Sequence, residues 1–469
     1  MTKSTTDVDD SDKQPQAGQV QTVDCCIVGG GPAGIVMGVL LARLGIRVTI
    51  LEAHDDFDRE FRGDTIHPGV MEIMDQLGIA DDLLKLPHTK LNSVGFETAQ
   101  GKTTVADFGT LSSRFPFITV MPQSRFLEYL NEYGNQFDGF EVRLGANVRD
   151  VVERDGEVCG VTYESDGVTH EIHATLTVAA DGRFSRLRKR MELEPINSSP
   201  PMDVLWLRLP RYESDGEDLT FRVGAGMFIV LLNRDDEWQI GYVALKGTFR
   251  DIKSAGLEAF RESLANRVPL LRDRVGLIED WKQVTPLNVA SNRLPKWYVP
   301  GLLFIGDAAH TMSPVGGVGI NYAIQDAVAA VNLLGTALIS GTVTEADLRR
   351  VQSRREFPTR VIQFVQAQLQ QRIVKQALRT NQEFKVPWYL RLPFASYFAA
   401  RLLGYGLRSE KIKNQKSIMQ IMDSENSHEH RLDRAVFLQS IDFPARSDRL
   451  AMNWDAKKRW ATFCFRPNH

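Results

Sequence analysis

The chain has 469 residues, of which 43% are hydrophobic and 25% charged, a composition typical of a globular protein with room for two domains. The formal net charge of −3 gives no basic footprint for nucleic acid, and no uninterrupted apolar run predicts a membrane span. The four cysteines form no disulfide framework and the nine histidines have no metal-ligand spacing. We therefore expect no metal and a reducing, cytoplasmic location.

Residues 1–21 are polar and acidic and lack the apolar segment of a secretory signal, so they are predicted to be a disordered tail. The next stretch predicts a βαβ unit: a buried strand from Thr22 to Val28, a glycine turn, a helix to about Leu44 and a second strand. The second strand ends at Glu52, an acid placed to bind a ribose hydroxyl.

The glycine turn reads GGGPAG at residues 29–34. Gly29 allows a tight turn, Gly31 lets the backbone approach a pyrophosphate, and Gly34 lets the helix pack closely against the strand. Pro32 and Ala33 begin the helix, and the free backbone N–H groups of its first turn, which Pro32 itself lacks, can face phosphate. The unit therefore predicts a dinucleotide site.

A second glycine-rich turn between a strand and a helix lies at residues 303–327. Its strand ends at Gly306 and Asp307, and a carboxylate in that position can accept a hydrogen bond from a ribitol hydroxyl. The N–H groups at the start of the following helix can face the electron-rich N1–C2=O edge of a flavin. Two such sites far apart in the chain fit an extended FAD better than NAD.

Three motifs occur in order: GGGPAG at 29–34, AADGRFSRLRKRM at 179–191 and FIGDAAHTMSPVGGVGIN at 304–321. Over about residues 23–345 the chain resembles the class A flavoprotein monooxygenases, the aromatic hydroxylases related to p-hydroxybenzoate hydroxylase. The resemblance implies an α/β fold with a Rossmann-like FAD-binding domain, an inserted antiparallel β-sheet substrate domain and a helical C-terminal region. It also implies noncovalent FAD, and NAD(P)H and O2 as co-substrates. The substrate would be an aromatic or polycyclic small molecule, hydroxylated through a flavin C4a-hydroperoxide.

The resemblance assigns roles to the third motif, called the GD motif. Asp307 would bind the ribitol, Pro314 would line the ring near its reactive carbon, and residues 317–321 would cradle the pyrimidine edge. The residues of that cradle are Gly317, Gly319, Ile320 and Asn321.

The second motif, called the DG motif, would shape a groove shared by FAD and the reduced nicotinamide, through Asp181, Gly182 and Arg188. No separate Rossmann unit for NAD(P)H is evident in the sequence. The remaining FAD contacts that the resemblance implies are Arg62, Gln123 or Arg125, and the backbone of Val148.

The expected FAD-binding domain comprises residues 22–97, 119–200 and 290–345, the substrate-binding sheet domain 98–118 and 201–289, and the helical C-terminal region 346–469. Alternating residues of the sheet domain predict an apolar wall over the flavin, although such residues more often fill a core. The candidates for this wall are Trp206, Met227, Ile229, Trp238, Ile240 and Tyr242.

Two histidines, His67 and His310, lie in cofactor loops, where either is able to act as a base toward a phenol. Loop capping and solvent exposure are the commoner roles for such residues, so neither is assigned as catalytic, and no catalytic residue is assigned. The apolar segment 387–407 is expected to pack on the FAD-binding domain or on a partner subunit in a homodimer, rather than on a membrane.

Three other functions remain open at this stage. A flavin-dependent halogenase shares the fold, but its WxWxIP signature is absent from the sequence. An FAD-dependent reductase or dehydrogenase would share the motifs without transferring oxygen, and a flavin-holding ligand-binding protein would not turn over. The sequence does not identify the substrate, the choice between NADH and NADPH, or the role of residues 411–469.

Overall fold

The computed structural model describes residues 17–58, 63–98, 100–198, 200–215, 220–224, 226–234, 236–378, 384, 386–388 and 392–413. The predicted contact Arg62 and most of the predicted tail therefore lie outside the described residues.

The strands up to residue 198 are β1 (Ala17–Val28), β2 (Val48–Leu51), β3 (Thr65–Ile66), β4 (Thr89–Leu91), β5 (Ser93–Thr98), β6 (Gly101–Asp107), β7 (Ile118–Val120), β8 (Phe140–Arg143), β9 (Asn147–Arg154), β10 (Glu157–Ser165), β11 (Val168–Ala179) and β12 (Ile196–Ser198). The later strands are β13 (Met202–Pro210), β14 (Thr220–Gly224), β15 (Met227–Asn233), β16 (Glu237–Leu245), β17 (Thr285–Leu287), β18 (Ser291–Arg293), β19 (Tyr298–Val299), β20 (Leu302–Phe304) and β21 (His310–Thr311).

The helices are α1 (Pro32–Ala42), α2 (Pro68–Gln76), α3 (Ala80–Leu83), α4 (Gln123–Gly134), α5 (Arg186–Arg190), α6 (Phe249–Ser254), α7 (Leu257–Arg267), α8 (Gly319–Ser340), α9 (Glu345–Leu369), α10 (Lys375–Ala377) and α11 (Pro393–Tyr405). A π-helical segment, Gln370–Val374, joins α9 to α10.

An eight-stranded sheet forms the first layer, with the order β19-β20-β11-β1-β2-β8, and β10 and β9 continue from β11. The pairs β20/β11, β11/β1, β1/β2 and β2/β8 are parallel. β1 begins at Ala17, five residues before the predicted Thr22, because its first residues pair with β11 from Thr169 onward. The predicted βαβ unit is present, and its helix ends at Ala42 rather than near Leu44.

α1 and α8 pack beside each other in the main apolar core, which buries side chains of β1, β2, α1, α2, α4 and α8. Among the described residues, α8 is the one helix whose length and hydropathy would allow it to cross a membrane. Two thirds of its apolar window is buried inside the protein, as in a core helix. The apolar side chains that would make such a helix insert into lipid are thus already covered here by protein.

A seven-stranded sheet forms the second layer, with the order β17-β13-β16-β15-β14-β5-β6. Its pairs are antiparallel except β14/β5, which is parallel. The strands predicted between the DG and GD motifs are therefore confirmed. β5 also pairs in this sheet, although the expected domain boundary at residue 97 assigns most of β5 to the FAD-binding domain.

The described C-terminal residues are largely helical. α11 packs its Ala400 side on Phe108 and Leu111, which belong to the segment 98–118 expected in the substrate-binding domain rather than to the expected FAD-binding domain. Its opposite side leaves Phe394 and Phe398 exposed.

Candidate functional site

Three parallel strands of the large sheet end level with one another. Val28 at the end of β1 pairs with Ala179 of β11, and Ala179 pairs with Phe304 of β20. The glycine turn, the DG motif and the GD motif follow these strands directly, so segments about 150 residues apart in the chain meet at one sheet edge. Ligands of open α/β sheets bind at such carboxyl ends.

The glycines of the first motif serve two different purposes. Gly29 has a φ of +109°, and a Cβ on it would lie 2.4 Å from the carbonyl oxygen of Ala180. A Cβ on Gly34 would lie 2.0 Å from the carbonyl oxygen of Gly29, so both positions require glycine for folding. Gly31 lines the central cavity, and a Cβ on it would have no protein atom within 4 Å apart from its own chain neighbours. This open cradle fits the approach of a cofactor to the backbone.

Glu52 is held in place at the end of β2. One carboxylate oxygen accepts a hydrogen bond from the backbone N–H of Gly30 at 2.8 Å. The other accepts from the backbone N–H of His54 at 3.0 Å and contacts His54 Nδ1 at 2.6 Å. Glu52 is 8% exposed and lines the cavity, as a ribose-binding acid should.

Asp181 of the DG motif has one oxygen committed to the fold. Its Oδ2 accepts from the backbone N–H groups of Arg186 at 2.7 Å and Leu187 at 3.3 Å, at the start of α5. Its Oδ1 is buried and has no hydrogen-bond partner among the described residues. Burial raises the pKa of Asp181 above its ordinary value, against the hydrogen bonds that it accepts. Asp181, which carries this unpaired oxygen, lines the cavity.

Arg188 joins the DG and GD motifs through their backbones. Its guanidinium donates to the carbonyl oxygen of Ala308 at 3.2 Å and to that of Arg183 at 2.6 Å. Arg188 is not among the residues that line the cavity, so it shapes the groove by positioning both loops. Asp307 does line the cavity, and Arg183 Nη2 lies 3.9 Å from its carboxylate.

The glycine turn within the GD motif is fixed by hydrogen bonds from two side chains, those of Thr65 and Asn321. The carbonyl oxygen of Gly317 accepts from Thr65 Oγ1 at 3.0 Å and from Asn321 Nδ2 at 3.2 Å. Gly317 has a φ of +62°, and a Cβ on it would lie 2.5 Å from Thr65 Oγ1. Asn321 is buried, does not line the cavity, and accepts from the backbone N–H of His67 at 2.8 Å. Asn321 thus holds the turn in position without bordering the cavity.

One ring nitrogen of His67 makes a hydrogen bond within the protein, and the other has no partner among the described residues. It precedes α2, and its Nδ1 donates to the carbonyl oxygen of Leu403 at 2.7 Å, which fixes the tautomer. Its Nε2 is buried without a partner among the residues described, and His67 lines the cavity. Burial lowers the pKa of His67 to about 4, despite the bond to Leu403. At neutral pH the ring is therefore uncharged, with a free acceptor.

The cavity into which these groups face has a volume of about 590 Å³. Gly34, Arg125 and Asn321 do not line it, and the guanidinium of Arg125 donates instead to the carbonyl oxygen of Pro87 at 3.0 Å. Gln123 is therefore the better placed of the two alternatives at the start of α4. The predicted cofactor residues that do line the cavity are Gly29, Gly31, Pro32, Ala33, Glu52, Gln123, Val148, Asp181, Gly182, Asp307, Pro314, Gly317, Gly319 and Ile320.

One face of the seven-stranded sheet forms the far wall of the cavity, and it is largely not the face predicted. Trp206 lines the cavity, but Met227, Ile229, Trp238, Ile240 and Tyr242 lie on the opposite face, in or against the core under α7. The neighbouring residues of β15, Phe228, Val230 and Leu232, line the cavity instead. β15 reads MFIVLLN, apolar at six consecutive positions, so alternation alone does not reveal which face is buried.

The sequence analysis did not predict a cluster of charged side chains that lies behind the GD motif. Asp326 Oδ2 accepts from the backbone N–H of Gly306 at 3.1 Å and lies 2.5 Å from His310 Nε2. Asp326 Oδ1 lies 2.8 Å from Arg355 Nε. His310 is thus buried in a structural cluster and does not line the cavity. The signal was an aspartate within an otherwise apolar helix, which requires a buried partner.

An ion pair beside the cavity connects the seven-stranded sheet with the segment that precedes β3. Arg234, just after β15, has its Nε 3.4 Å from Asp64 Oδ2, and both side chains are almost fully buried. Asp64 lines the cavity, and the backbone N–H of Gln123 donates to its other oxygen at 3.3 Å. Burial raises the pKa of Asp64 to about 6, although the charge of Arg234 opposes the shift.

Comparison with known proteins identifies this arrangement. The model of the family described as "FAD binding domain" matches residues 22–365. A 6-methylpretetramide 4-monooxygenase of Streptomyces rimosus is 32% identical over 341 residues, which cover 71% of this chain and 80% of the relative. The chain belongs to the class A FAD-dependent monooxygenases. FAD is therefore the cofactor of this monooxygenase, and the enzyme is an oxidoreductase.

Solved structures share the fold of the monooxygenase. The anhydrotetracycline hydroxylase of Streptomyces rimosus has a TM-score of 0.65 at 22% identity, covering 82% of this chain and 76% of its own. A myxobacterial chondrochloren halogenase has a TM-score of 0.66 at 19% identity, covering 90% and 92%. At these identities the likeness shows the fold alone, and hydroxylases and halogenases both have that fold.

Proposed function

We propose that this monooxygenase uses NAD(P)H and O2 to hydroxylate an aromatic or polycyclic small molecule. The observation that carries the proposal is the cavity itself: one continuous space extends from the three strand ends to the apolar face of the seven-stranded sheet. A cofactor and an apolar substrate would meet within it. The relative of Streptomyces rimosus acts, by its name, on 6-methylpretetramide, which supports a related kind of substrate.

The proposed cofactor contacts come from groups that the fold holds at the edge of the cavity. Gly31 and the start of α1 would face the pyrophosphate, and Glu52 would accept from the adenosine ribose. Asp307 would accept from the ribitol. His67 Nε2, an unpaired acceptor next to the turn, would accept from the N–H of the flavin pyrimidine ring. Each of these groups borders the cavity.

The chain would contribute positioning and exclusion of water rather than a side-chain acid. FAD, when bound, takes a hydride from the reduced nicotinamide and activates O2, so that one oxygen atom enters the substrate and the other leaves as water. Val204, Val230 and Val243 present an apolar wall on the substrate side. Such a wall keeps water from the reacting atoms, and water would divert the reduced cofactor to peroxide formation.

The proposal extends to the nicotinamide donor, the cellular location and the assembly state. A cytoplasmic location would supply reduced nicotinamide and suits the buried free thiols of Cys25 and Cys26. A homodimer stays a prediction, and sedimentation equilibrium of the purified protein tests it.

Oxygen uptake tests the proposed function. The purified holoenzyme is mixed with NADH or NADPH and a library of phenols and fused-ring phenols, and the products are analysed by mass spectrometry in the presence of ¹⁸O2. We expect substrate-dependent oxygen uptake and one labelled oxygen atom in the product. Added bromide or chloride serves to detect halogenation, which the shared fold makes the second candidate. A halogenated product, or anaerobic reduction of the substrate without labelled oxygen, would overturn the hydroxylase proposal.

A further inference from the structure

The cavity has a charged half and an uncharged half. Within the described residues, no charged side chain that lines it belongs to the seven-stranded sheet, and the charged ones, for example Glu52, Asp181 and Asp307, come from outside that sheet. The face of the seven-stranded sheet contributes apolar side chains and two polar ones, Trp206 and Gln239. A substrate carboxylate would therefore find no cation on this wall.

Trp206 and Gln239 lie close together on that wall. Trp206 of β13 pairs with Gly241 of β16, and its ring lies 3.0 Å from the position that a Cβ of Gly241 would occupy. Gln239 precedes Gly241 by two residues, so it shares the same face of β16. Gly241 thus gives the indole room to lie beside the Gln239 amide.

Both side chains carry a buried polar atom that the fold leaves unpaired. Trp206 Nε1 and Gln239 Oε1 have no hydrogen-bond partner among the residues described, and the side chains are 9% and 2% exposed. Leaving a buried polar group unpaired destabilises the folded state, so native proteins rarely keep one without a use. Leucine or phenylalanine would fill the same wall without that cost.

We propose that Trp206 and Gln239 recognise the oxygen substituents of a neutral, fused-ring substrate. An indole N–H only donates, so it requires an accepting oxygen such as a carbonyl or a phenol. The Gln239 amide both donates and accepts, and so pairs with an adjacent hydroxyl or carbonyl. Phe228 and Leu232 are four residues apart along β15, about 13 Å of apolar wall, which is longer than a single benzene ring. The inference rests on the proposed function, because it describes the substrate of that same site.

Binding of a matched pair of compounds tests this proposal. Danthron is a neutral dihydroxyanthraquinone, and rhein is its carboxylated analogue. Each is titrated into the holoenzyme, and binding is followed by the change in flavin absorbance, without reduced nicotinamide. We expect danthron to bind the wild-type enzyme at least tenfold more tightly than rhein.

Two variants and a control separate recognition from folding. Trp206→Phe keeps an aromatic ring without the N–H, and Gln239→Leu keeps the approximate shape without the amide. Each should weaken danthron binding about tenfold, the loss of one hydrogen bond. Tyr242→Phe, on the opposite face of β16 where the hydroxyl lies 3.3 Å from Ser263 Oγ, should leave danthron binding unchanged.

The proposal fails if danthron does not bind the wild-type enzyme, if rhein binds as tightly, or if both variants bind danthron as the wild type does. Because no turnover is involved, these outcomes are independent of the oxygen-transfer assay. An enzyme that bound danthron through Trp206 and Gln239 without incorporating oxygen would overturn the proposed function and leave this inference standing.

Discussion

Asp326 of α8 and Arg355 of α9 form an ion pair in the interior, with Arg355 Nε 2.8 Å from Asp326 Oδ1 and both side chains fully buried. The other oxygen of Asp326 accepts from the backbone N–H of Gly306. The pair therefore stands directly behind the GD motif. Through this pair, the position of the cofactor loop depends on two side chains, Asp326 and Arg355, that do not themselves line the cavity.

Asp326→Asn should lower the free energy of unfolding by about 3–5 kcal/mol, because it removes the nearer of the two buried carboxylates that pair with Arg355 and the partner of the buried His310. Urea denaturation of the holoenzyme measures the loss. Glu345→Gln is the matched control, since Glu345 pairs with Lys296 at 2.9 Å on the surface, where the two side chains are 44% and 49% exposed. The control should cost less than about 1 kcal/mol. Equal costs for the two variants would contradict the role given to the buried pair.

Gly31→Val should yield a folded protein that holds little FAD. Its backbone is extended at φ −76°, which valine adopts readily, and its side chain would project into the cavity without meeting protein atoms. The ratio of flavin to protein, measured on the folded fraction, should fall while circular dichroism stays unchanged. Gly29→Ala is the contrasting variant: it should lose stability, because its Cβ would meet the Ala180 carbonyl. A normal flavin content in Gly31→Val would refute the pyrophosphate assignment.

The βαβ unit with its glycine turn could be predicted from the sequence because its spacing specifies it, whereas the DG motif was identified through the family resemblance. A strand, a turn and a helix at fixed intervals admit one geometry, and the parallel register then brings the ends of β1, β11 and β20 together. Arg125 could not be placed in the same way. A long arginine at a helix start reaches several partners, and the carbonyl of Pro87 is the one that this fold offers.

The face of the substrate sheet could not be predicted either. Where β15 is apolar at successive positions, both faces are buried, one under α7 and the other over the cavity. Gln239 carried a usable signal, since it is a polar residue flanked by the apolar Trp238 and Ile240. A lone amide in an apolar strand indicates either a buried hydrogen bond or a ligand.

Asp307→Ala should weaken FAD binding roughly ten- to hundredfold, because a hydrogen bond to a charged acceptor contributes about 1.5–3 kcal/mol. The apoprotein should keep its thermal stability, since the nearest cation, Arg183, lies as far as 3.9 Å away. Titration of the apoprotein with FAD measures the affinity. Asp251→Ala, an exposed acid of α6 outside the cavity, should bind FAD normally. Equal affinity in the two variants would remove Asp307 from the site.

Asp64 should make the folded enzyme less stable as the pH rises, which is the opposite of the usual effect of an aspartate. Its pKa is raised to about 6, chiefly by burial, whereas in the unfolded chain it is about 3.9. The folded state therefore holds the extra proton between these values, so this residue's contribution to the free energy of unfolding falls as the pH rises from about 4 to about 6. Two pKa units correspond to about 3 kcal/mol.

Asp64→Asn isolates that contribution. As the pH rises from about 4 to about 7, the free energy of unfolding of the variant should increase by about 2–3 kcal/mol relative to that of the wild type. Urea denaturation across this pH range measures the difference. Asp326 behaves oppositely: burial raises its pKa, but His310 and Arg355 outweigh burial and lower it. Its stabilisation is thus lost as the pH falls below about 4. If the difference in the free energy of unfolding between Asp64→Asn and the wild type does not vary with pH, then Asp64 ionises as an exposed acid does.

The cluster behind the GD motif also bears on biosynthesis. Arg355 lies 49 residues after Gly306 and also meets the Arg408 carbonyl at 3.2 Å and the Glu410 carboxylate at 3.5 Å. A growing chain on the ribosome that has just passed the third nucleotide motif still lacks Arg355, the buried cation that pairs with Asp326, and the residues near 410 that contact Arg355. We therefore expect the flavin site to reach its final form only after about residue 410 has been translated.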